Sequence, residues 1–135
     1  MGKILWTRGI SAQSVLRLRE IIKTATGNLT AAELSGAVIN NYGQTADCAL
    51  TLPAAAEGLY FTVSLGTTVA NKYYRIIPAS GETIALDGSS TGANKYVQLA
   101  SAAKYSTIQF FTIQTGATTY EWQAVSSIGN WVQET

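Results

Sequence analysis

Side chains that commonly perform acid–base or nucleophilic chemistry are scarce in this sequence. It contains no histidine, which removes the commonest general base, the Ser-His and Cys-His nucleophile pairs and most zinc sites. Hydrolytic chemistry would therefore rest on carboxylates alone, and a glycosidase needs two of them facing each other across a cleft.

The sequence contains eight carboxylates, namely Glu20, Glu33, Asp47, Glu57, Glu82, Asp87, Glu121 and Glu134. Five of them have a structural explanation in their sequence context. Glu33 and Glu57 fall in segments typical of helical corners, Glu82 and Asp87 fall in turns, and Glu121 is on the outward side of a strand. We therefore expect a protein without enzymatic activity and without catalytic residues, and a carboxylate-only glycosidase is the alternative that we set aside.

No motif for a metal or a cofactor is present. The run "DGSSTG" at residues 87–92 has the composition of a cation loop, but calcium loops alternate several carboxylates and this run has one. It is more typical of an exposed hairpin tip. The sequence also lacks the glycine clusters that bind phosphates or dinucleotides. We expect no metal and no cofactor.

The single Cys48 lies in an alternating apolar run, where a buried thiol behaves as a small hydrophobic side chain. It has no internal disulfide partner. An intermolecular disulfide or a nucleophile is the alternative interpretation.

Aromatic side chains are the remaining candidates for ligand contact. Seven of them could stack on sugar rings: Tyr73, Tyr74, Tyr96, Tyr105, Tyr120, Trp122 and Trp131. Aromatic residues on strands more often belong to a core or an interface. Because adjacent strand residues point to opposite faces, at most one of Tyr73 and Tyr74 lies in the core.

Low charge indicates self-association. Charged residues make up 13% of the chain, against about 25% in an average domain. Interfaces are depleted in Lys, Glu and Asp, so we expect an oligomer or a component of a larger assembly.

The N-terminal segment carries a net positive charge. Residues 1–19 contain four basic and no acidic residues, a net charge of +4, whereas the remaining five basic and eight acidic residues give −3. Such an arm is compatible with nucleic acid or with an acidic protein surface, and we expect protein docking and no nucleic-acid partner. The candidate docking residues are Ile4, Leu5, Trp6, Arg8, Arg17 and Arg19. No run approaches the ~20 apolar residues of a membrane span, so no membrane partner is expected.

From about residue 20 the sequence is dominated by short strand-like runs separated by turn residues. The pattern predicts strands over residues 21–26, 37–40, 48–52, 59–65, 73–77, 83–86, 96–99, 107–114, 120–126 and 131–133. Residues 59–65 alternate, which places Leu59, Phe61, Val63 and Leu65 on the core face. Residues 11–23 fit both a helix and a strand. The expected organisation is a basic N-terminal docking arm at 1–19 and a β-sandwich domain at 20–135.

Two segments are typical of corners between sheets. Pro53 ends a strand and precedes three alanines, and Gly58 can adopt the left-handed conformation that ends a helical turn. Thr30 and Glu33 have capping-box spacing, followed by Gly36. The fold class expected is all-β, an antiparallel, jelly-roll-like β-sandwich with short helical-turn corners.

The run "TATGNLTAAELSGAVINNYGQTADCALTLPAAAEGLYFTV" at residues 24–63 resembles β-rich domains of tailed-bacteriophage virion proteins in head decorations and fibres. The resemblance continues through "IIPASGETIALDG" and ends in "YEWQAVSSIGNW", so it covers most of residues 24–131. It implies a virion structural protein, expected to be a homotrimer. The absence of a shaft favours a capsid decoration (cement) protein or head fibre over a long tail fibre.

The resemblance also sets the expected location and partners. The chain would lie on the surface of the virion, assembled in the host cytoplasm, with its N-terminal arm on the major capsid protein or another virion protein. The alternative is a carbohydrate- or receptor-binding module of a phage tail fibre, with a host surface glycan as its partner.

Overall fold

The structure is a computed structural model that describes residues 18–135. This part of the chain contains strands and no helix. The strands are β1 (Arg19–Ile22), β2 (Gly27–Asn28), β3 (Ser35–Asn40), β4 (Cys48–Thr51), β5 (Tyr60–Ser64), β6 (Tyr74–Ile77), β7 (Ile84–Leu86), β8 (Val97–Leu99), β9 (Thr107–Gln114), β10 (Tyr120–Ile128) and β11 (Val132–Gln133).

Two sheets pack face to face as a β-sandwich, which confirms the all-β prediction. The six-stranded sheet has the order β1-β3-β5-β9-β10-β7, and the five-stranded sheet has the order β11-β8-β6-β4-β2. From β1 to β9 the chain changes sheet at every connection. It therefore winds around the core, and only β9 and β10 follow each other as a hairpin within one sheet.

This winding makes both sheets mixed, which corrects the antiparallel prediction. Five pairings are parallel, namely β1/β3, β3/β5, β2/β4, β4/β6 and β7/β10. Four are antiparallel, namely β5/β9, β9/β10, β6/β8 and β8/β11. In four of the five parallel pairs the strands are two apart in sequence, and the chain crosses to the other sheet and back between them. β6 and β8 are also two apart but pair antiparallel. The jelly-roll order is therefore not confirmed.

The two predicted corners do connect the sheets, but as turns. At the first, Thr30 N–H donates to Glu33 Oε1 at 2.9 Å and Glu33 N–H donates to Thr30 Oγ1 at 3.3 Å, which is the capping-box pattern. β3 begins at Ser35, so no room remains for a helix. At the second, Ala55 N–H donates to the Glu82 carboxylate at 2.9 Å. The helical corners are thus not confirmed, although Gly36 and Gly58 both have the expected positive φ of 78°.

The core follows the predicted alternation. Leu59, Phe61, Val63 and Leu65 are buried, and Tyr60, Thr62 and Ser64 of the same segment point outward. Phe61 stacks on Phe110 of β9 and meets the edge of Trp122 of β10. The prediction that at most one of the adjacent tyrosines is in the core is also confirmed, since Tyr74 is fully buried and Tyr73 is not.

The N-terminal strand differs from its predicted bounds. The expected strand at 21–26 is replaced by β1, which begins at Arg19, and by β2, which the sequence did not indicate. β2 consists of Gly27 and Asn28, which are poor strand formers, and it is held by its parallel pairing with β4.

Candidate binding surfaces

Most predicted docking residues of the N-terminal arm, Ile4, Leu5, Trp6, Arg8 and Arg17, lie outside the described residues. Arg19 lies within β1, and its Nη2 donates to the carbonyl oxygens of Ala32 at 2.8 Å and Glu33 at 3.2 Å. Its guanidinium therefore contacts the corner that precedes β3.

One cleft is lined by two carboxylates, those of Glu82 and Glu121. Its volume is about 330 Å³, and it is formed by residues 81–83 and 119–121. Glu82 accepts the Ala55 N–H, and Glu121 accepts the Thr83 hydroxyl at 3.2 Å. Within residues 18–135 no group of three His, Cys, Asp or Glu side chains is placed to hold a metal ion.

Cys48 is fully buried, as predicted. Its Sγ lies 4.0 Å from the Lys23 carbonyl oxygen, which also accepts the Tyr74 hydroxyl at 2.7 Å. Burial raises the pKa of the Cys48 thiol to about 11 and also raises the pKa of Tyr74. A protonated thiol in this position is a packing group and not a nucleophile.

The outer face of the six-stranded sheet carries few charges: at its β1 edge the Glu20 carboxylate accepts a hydrogen bond from Asn40 Nδ2 at 2.9 Å, and the central strands have one further carboxylate. On its four central strands the outward side chains are Val38, Asn40, Tyr60, Thr62, Ser64, Thr107, Gln109, Phe111, Ile113, Glu121, Gln123 and Val125. Glu121 is the only charged residue in this set. Tyr60 and Val125 remain 38% and 42% exposed. We call this surface the uncharged face.

The outer face of the five-stranded sheet carries a cation between two aromatic rings. The Arg75 guanidinium carbon lies 3.9 Å from the centre of the Tyr73 ring and 3.8 Å from that of Tyr96. Arg75 Nε donates to Gln98 Oε1 at 2.9 Å. Cation–π contacts of this kind stabilise a partly exposed site by about 0.5–1 kcal/mol each. Stabilisation of the fold therefore explains this cluster without a ligand.

One end of the sandwich, which we call the loop end, is formed by the connections at residues 41–47, 65–73 and 100–106. The buried Asn41 joins the first two connections: its Oδ1 accepts the N–H groups of Gly66 and Thr67 at 3.0 Å each, and its Nδ2 donates to Gln44 Oε1 and the Thr67 carbonyl. Tyr105 N–H donates to the Leu65 carbonyl at 2.8 Å and ties in the third connection.

Two tyrosines project from this hydrogen-bonded base. Tyr42 is 69% exposed and Tyr105 is 68% exposed. Tyr105 also has a φ of 76°. The other non-glycine residues with positive φ among residues 18–135 are Asn71, Asp87 and Asn94, which are the types that tolerate this conformation.

Sequence reasoning named some of these residues and missed others. Tyr73, Tyr96 and Tyr105 were singled out as aromatics, whereas Arg75, Tyr42 and the positive φ of Tyr105 were not. Arg75 was detectable from its position two residues after Tyr73, on the same face of a strand. The positive φ of Tyr105 has no signal in the sequence, because glycine or asparagine would be expected there.

The run at residues 87–92 is an exposed tip, as predicted. Asp87 and Gly88 both have positive φ, and Leu86 pairs with Ser89 across a two-residue turn. The Asp87 carboxylate accepts the backbone N–H and the hydroxyl of Ser126 at 2.9 and 2.6 Å.

Comparisons with family models, with curated proteins and with solved structures give no match. Residues 18–135 contain no helix that could cross a membrane.

Proposed function

We propose that this chain is a non-enzymatic structural subunit of a tailed-bacteriophage particle, of the capsid-decoration or head-fibre type. It associates with copies of itself, as a trimer, through the uncharged face. The N-terminal arm attaches it to the major capsid protein or another virion protein. The phage assignment rests on the sequence resemblance, and the self-association rests on the uncharged face.

The observation that supports self-association is the composition of the uncharged face. A solvent-facing sheet normally alternates buried apolar residues with charged or strongly polar outward ones. Here the outward residues of four adjacent strands include Tyr60, Phe111, Ile113 and Val125 among threonines and glutamines. Interface cores are depleted in Lys, Glu and Asp and enriched in aromatic residues, and the uncharged face has a similar composition.

Edge protection supports the same interpretation. The six-stranded sheet is bounded by the short strands β1 and β7, and β1 places Arg19 and Glu20 at its edge. Charges and short strands at an edge disfavour extension of the sheet. Association through the broad face is therefore the remaining way for this sheet to meet another copy.

The proposal is tested first by the mass of the purified chain in solution. Sedimentation equilibrium at micromolar concentration should give a mass near three times the 14.3 kDa of one chain. A monomer at all concentrations up to about 100 μM, a Kd range in which specific assemblies form, would contradict self-association.

The virion role needs a separate experiment. Purified particles of the phage that encodes the chain should be labelled on their surface by antibodies against residues 18–135. A chain lacking residues 1–17 should keep its β-sheet circular dichroism spectrum but fail to compete with the full chain for particles stripped of it. Unlabelled particles, or equal competition by both chains, would contradict the proposed role of the arm.

A further inference from the structure

A turn at the loop end places a tyrosine where the backbone disfavours one. Ser106 N–H donates to the Ala103 carbonyl at 3.1 Å, which closes a four-residue turn with Tyr105 at its third position. With a φ of 76° this position matches a type II turn, in which glycine or asparagine is usual. For a bulky side chain the left-handed conformation is strained by roughly 1–2 kcal/mol.

The fold gains little in return from this side chain. Tyr105 is 68% exposed, and the Lys104 ammonium lies 5.1 Å from the centre of its ring. Glycine or asparagine would close the same turn with less strain. A strained residue that contributes little to packing points to a role outside the fold.

Tyr42 extends the same surface. It follows β3 by two residues, and Tyr105 precedes β9 by two residues, while β5 lies between these strands. β3 and β9 are two strand spacings apart, about 10 Å, so the two tyrosines leave neighbouring parts of the same end. Asn41 is buried and fully bonded beneath Tyr42, so the base of the site is rigid.

The surroundings favour a saccharide over a protein surface. The connection between the two tyrosines carries Gly66, Thr67 and Thr68, which are small or polar, whereas a protein interface would need a contiguous apolar centre. The C–H face of a pyranose ring packs on the electron-rich face of an aromatic ring, and Lys104 supplies a hydrogen-bond donor beside it. The charges on the three connections, Asp47, Lys72 and Lys104, do not select for a strongly charged ligand.

We propose that Tyr42 and Tyr105 form a saccharide-binding site at the loop end. Each tyrosine ring stacks on one hexose of a neutral oligosaccharide, and Lys104 donates a hydrogen bond to a hydroxyl or ring oxygen of the sugar on Tyr105. The site is contained in one chain, so it does not depend on self-association or on attachment to a particle.

The test separates binding from folding at Tyr105. The full chain is applied to a broad array of immobilised neutral oligosaccharides, and the one with the highest signal is titrated by NMR against the wild type and variants. Tyr105→Asn and Tyr105→Gly should weaken binding at least about tenfold while leaving the melting temperature unchanged or raised. Tyr42→Ala should also weaken binding, and Tyr120→Ala, a tyrosine at the opposite end, should not.

Four results would overturn the proposal. The first is an array without binding. The second is unchanged affinity in Tyr105→Asn. The third is a lower melting temperature for both Tyr105 variants, which would show that the ring serves the fold. A chain that binds no saccharide but loses a protein partner through Tyr105→Asn would make the loop end a protein contact and would equally overturn a saccharide site.

Discussion

The rings of Phe61 and Phe110 lie parallel across the β5/β9 pair, with centroids 4.8 Å apart and an interplanar angle of 4°. Trp122 meets the Phe61 ring edge-on at 5.8 Å. These three buried rings come from three adjacent strands of the six-stranded sheet, and they form the centre of the core.

Removal of one of these rings should be costly. Phe110→Ala should lower the free energy of unfolding by about 3–5 kcal/mol, because it leaves a cavity beside Phe61, on whose ring Phe110 stacks. The matched control is Phe111→Ala, one residue along the same strand but on the outward face, which should cost less than about 1 kcal/mol when the chain is monomeric. Urea denaturation at low protein concentration measures both, and equal losses would contradict the assigned faces of β9.

The Cys48 thiol should make stability fall in alkaline solution. Its pKa is raised by burial to about 11, from a reference value of 9.0. Above pH 9 the unfolded thiol ionises while the folded one stays protonated, so the native state binds more protons and its stability falls as pH rises towards 11. Urea denaturation should show the difference between wild type and Cys48→Ala shrinking over this range. A constant difference, or rapid reaction of the native thiol with a disulfide reagent at pH 8, would show that the thiol is not buried.

Asn41 should stabilise the loop end through its side chain. Asn41→Ala removes the acceptor of the Thr67 N–H and one of the two acceptors of the Gly66 N–H, which also donates to Asn40 Oδ1 at 2.9 Å. Loss of the fully buried Asn41 side chain and of the Thr67 partner should lower the free energy of unfolding by about 1–3 kcal/mol. Thr45→Ala, an exposed position in the same connection, should change it by less than about 0.5 kcal/mol. Hydrogen exchange of the Thr67 amide reports its bond to Asn41 directly, and unchanged protection of this amide in Asn41→Ala would contradict the bond.

The contribution of the corner before β3 to the free energy of unfolding should depend weakly on pH. Lys23 Nζ lies 2.8 Å from Glu33 Oε2. This ion pair, together with the hydrogen bond that the carboxylate accepts from the Thr30 N–H, lowers the pKa of the Glu33 carboxyl. The stabilisation is present above the usual carboxyl pKa and is lost as pH falls through the lowered value. Glu33→Gln should cost about 0.2–1 kcal/mol at neutral pH, since both side chains are partly exposed. The difference from wild type should vanish in acid, and a difference that persists there would assign it to another cause.

Local patterns in the sequence indicate the strands well. The segment from Thr107 to Gln114 has the predicted bounds, and the alternation from Leu59 to Leu65 places each side chain on its correct face. Strand alternation depends only on neighbouring residues, so it can be read from sequence. The parallel winding depends on which distant strands meet, and no residue pattern in the connections specifies that.

The candidate surfaces show the same division. A low content of charged residues is visible in the sequence. That uncharged residues share the outer face of β3, β5, β9 and β10 follows from the register of those strands. The positive φ of Tyr105 is likewise a property of the folded backbone, and a tyrosine in the sequence does not predict it. The sequence pattern thus leads to a prediction of self-association, and the strand order is the basis for the proposed interface.

The central claim is that the uncharged face joins copies of this chain, and a pair of matched charge substitutions tests it most directly. Thr62 points outward at the centre of this face, and Thr51 points outward from β4 on the other sheet; both are partly buried threonines in strands. Light scattering with size-exclusion chromatography should show that Thr62→Arg converts the trimer to monomers and that Thr51→Arg leaves it intact. A trimer that survives Thr62→Arg, or that only Thr51→Arg dissociates, would contradict the account.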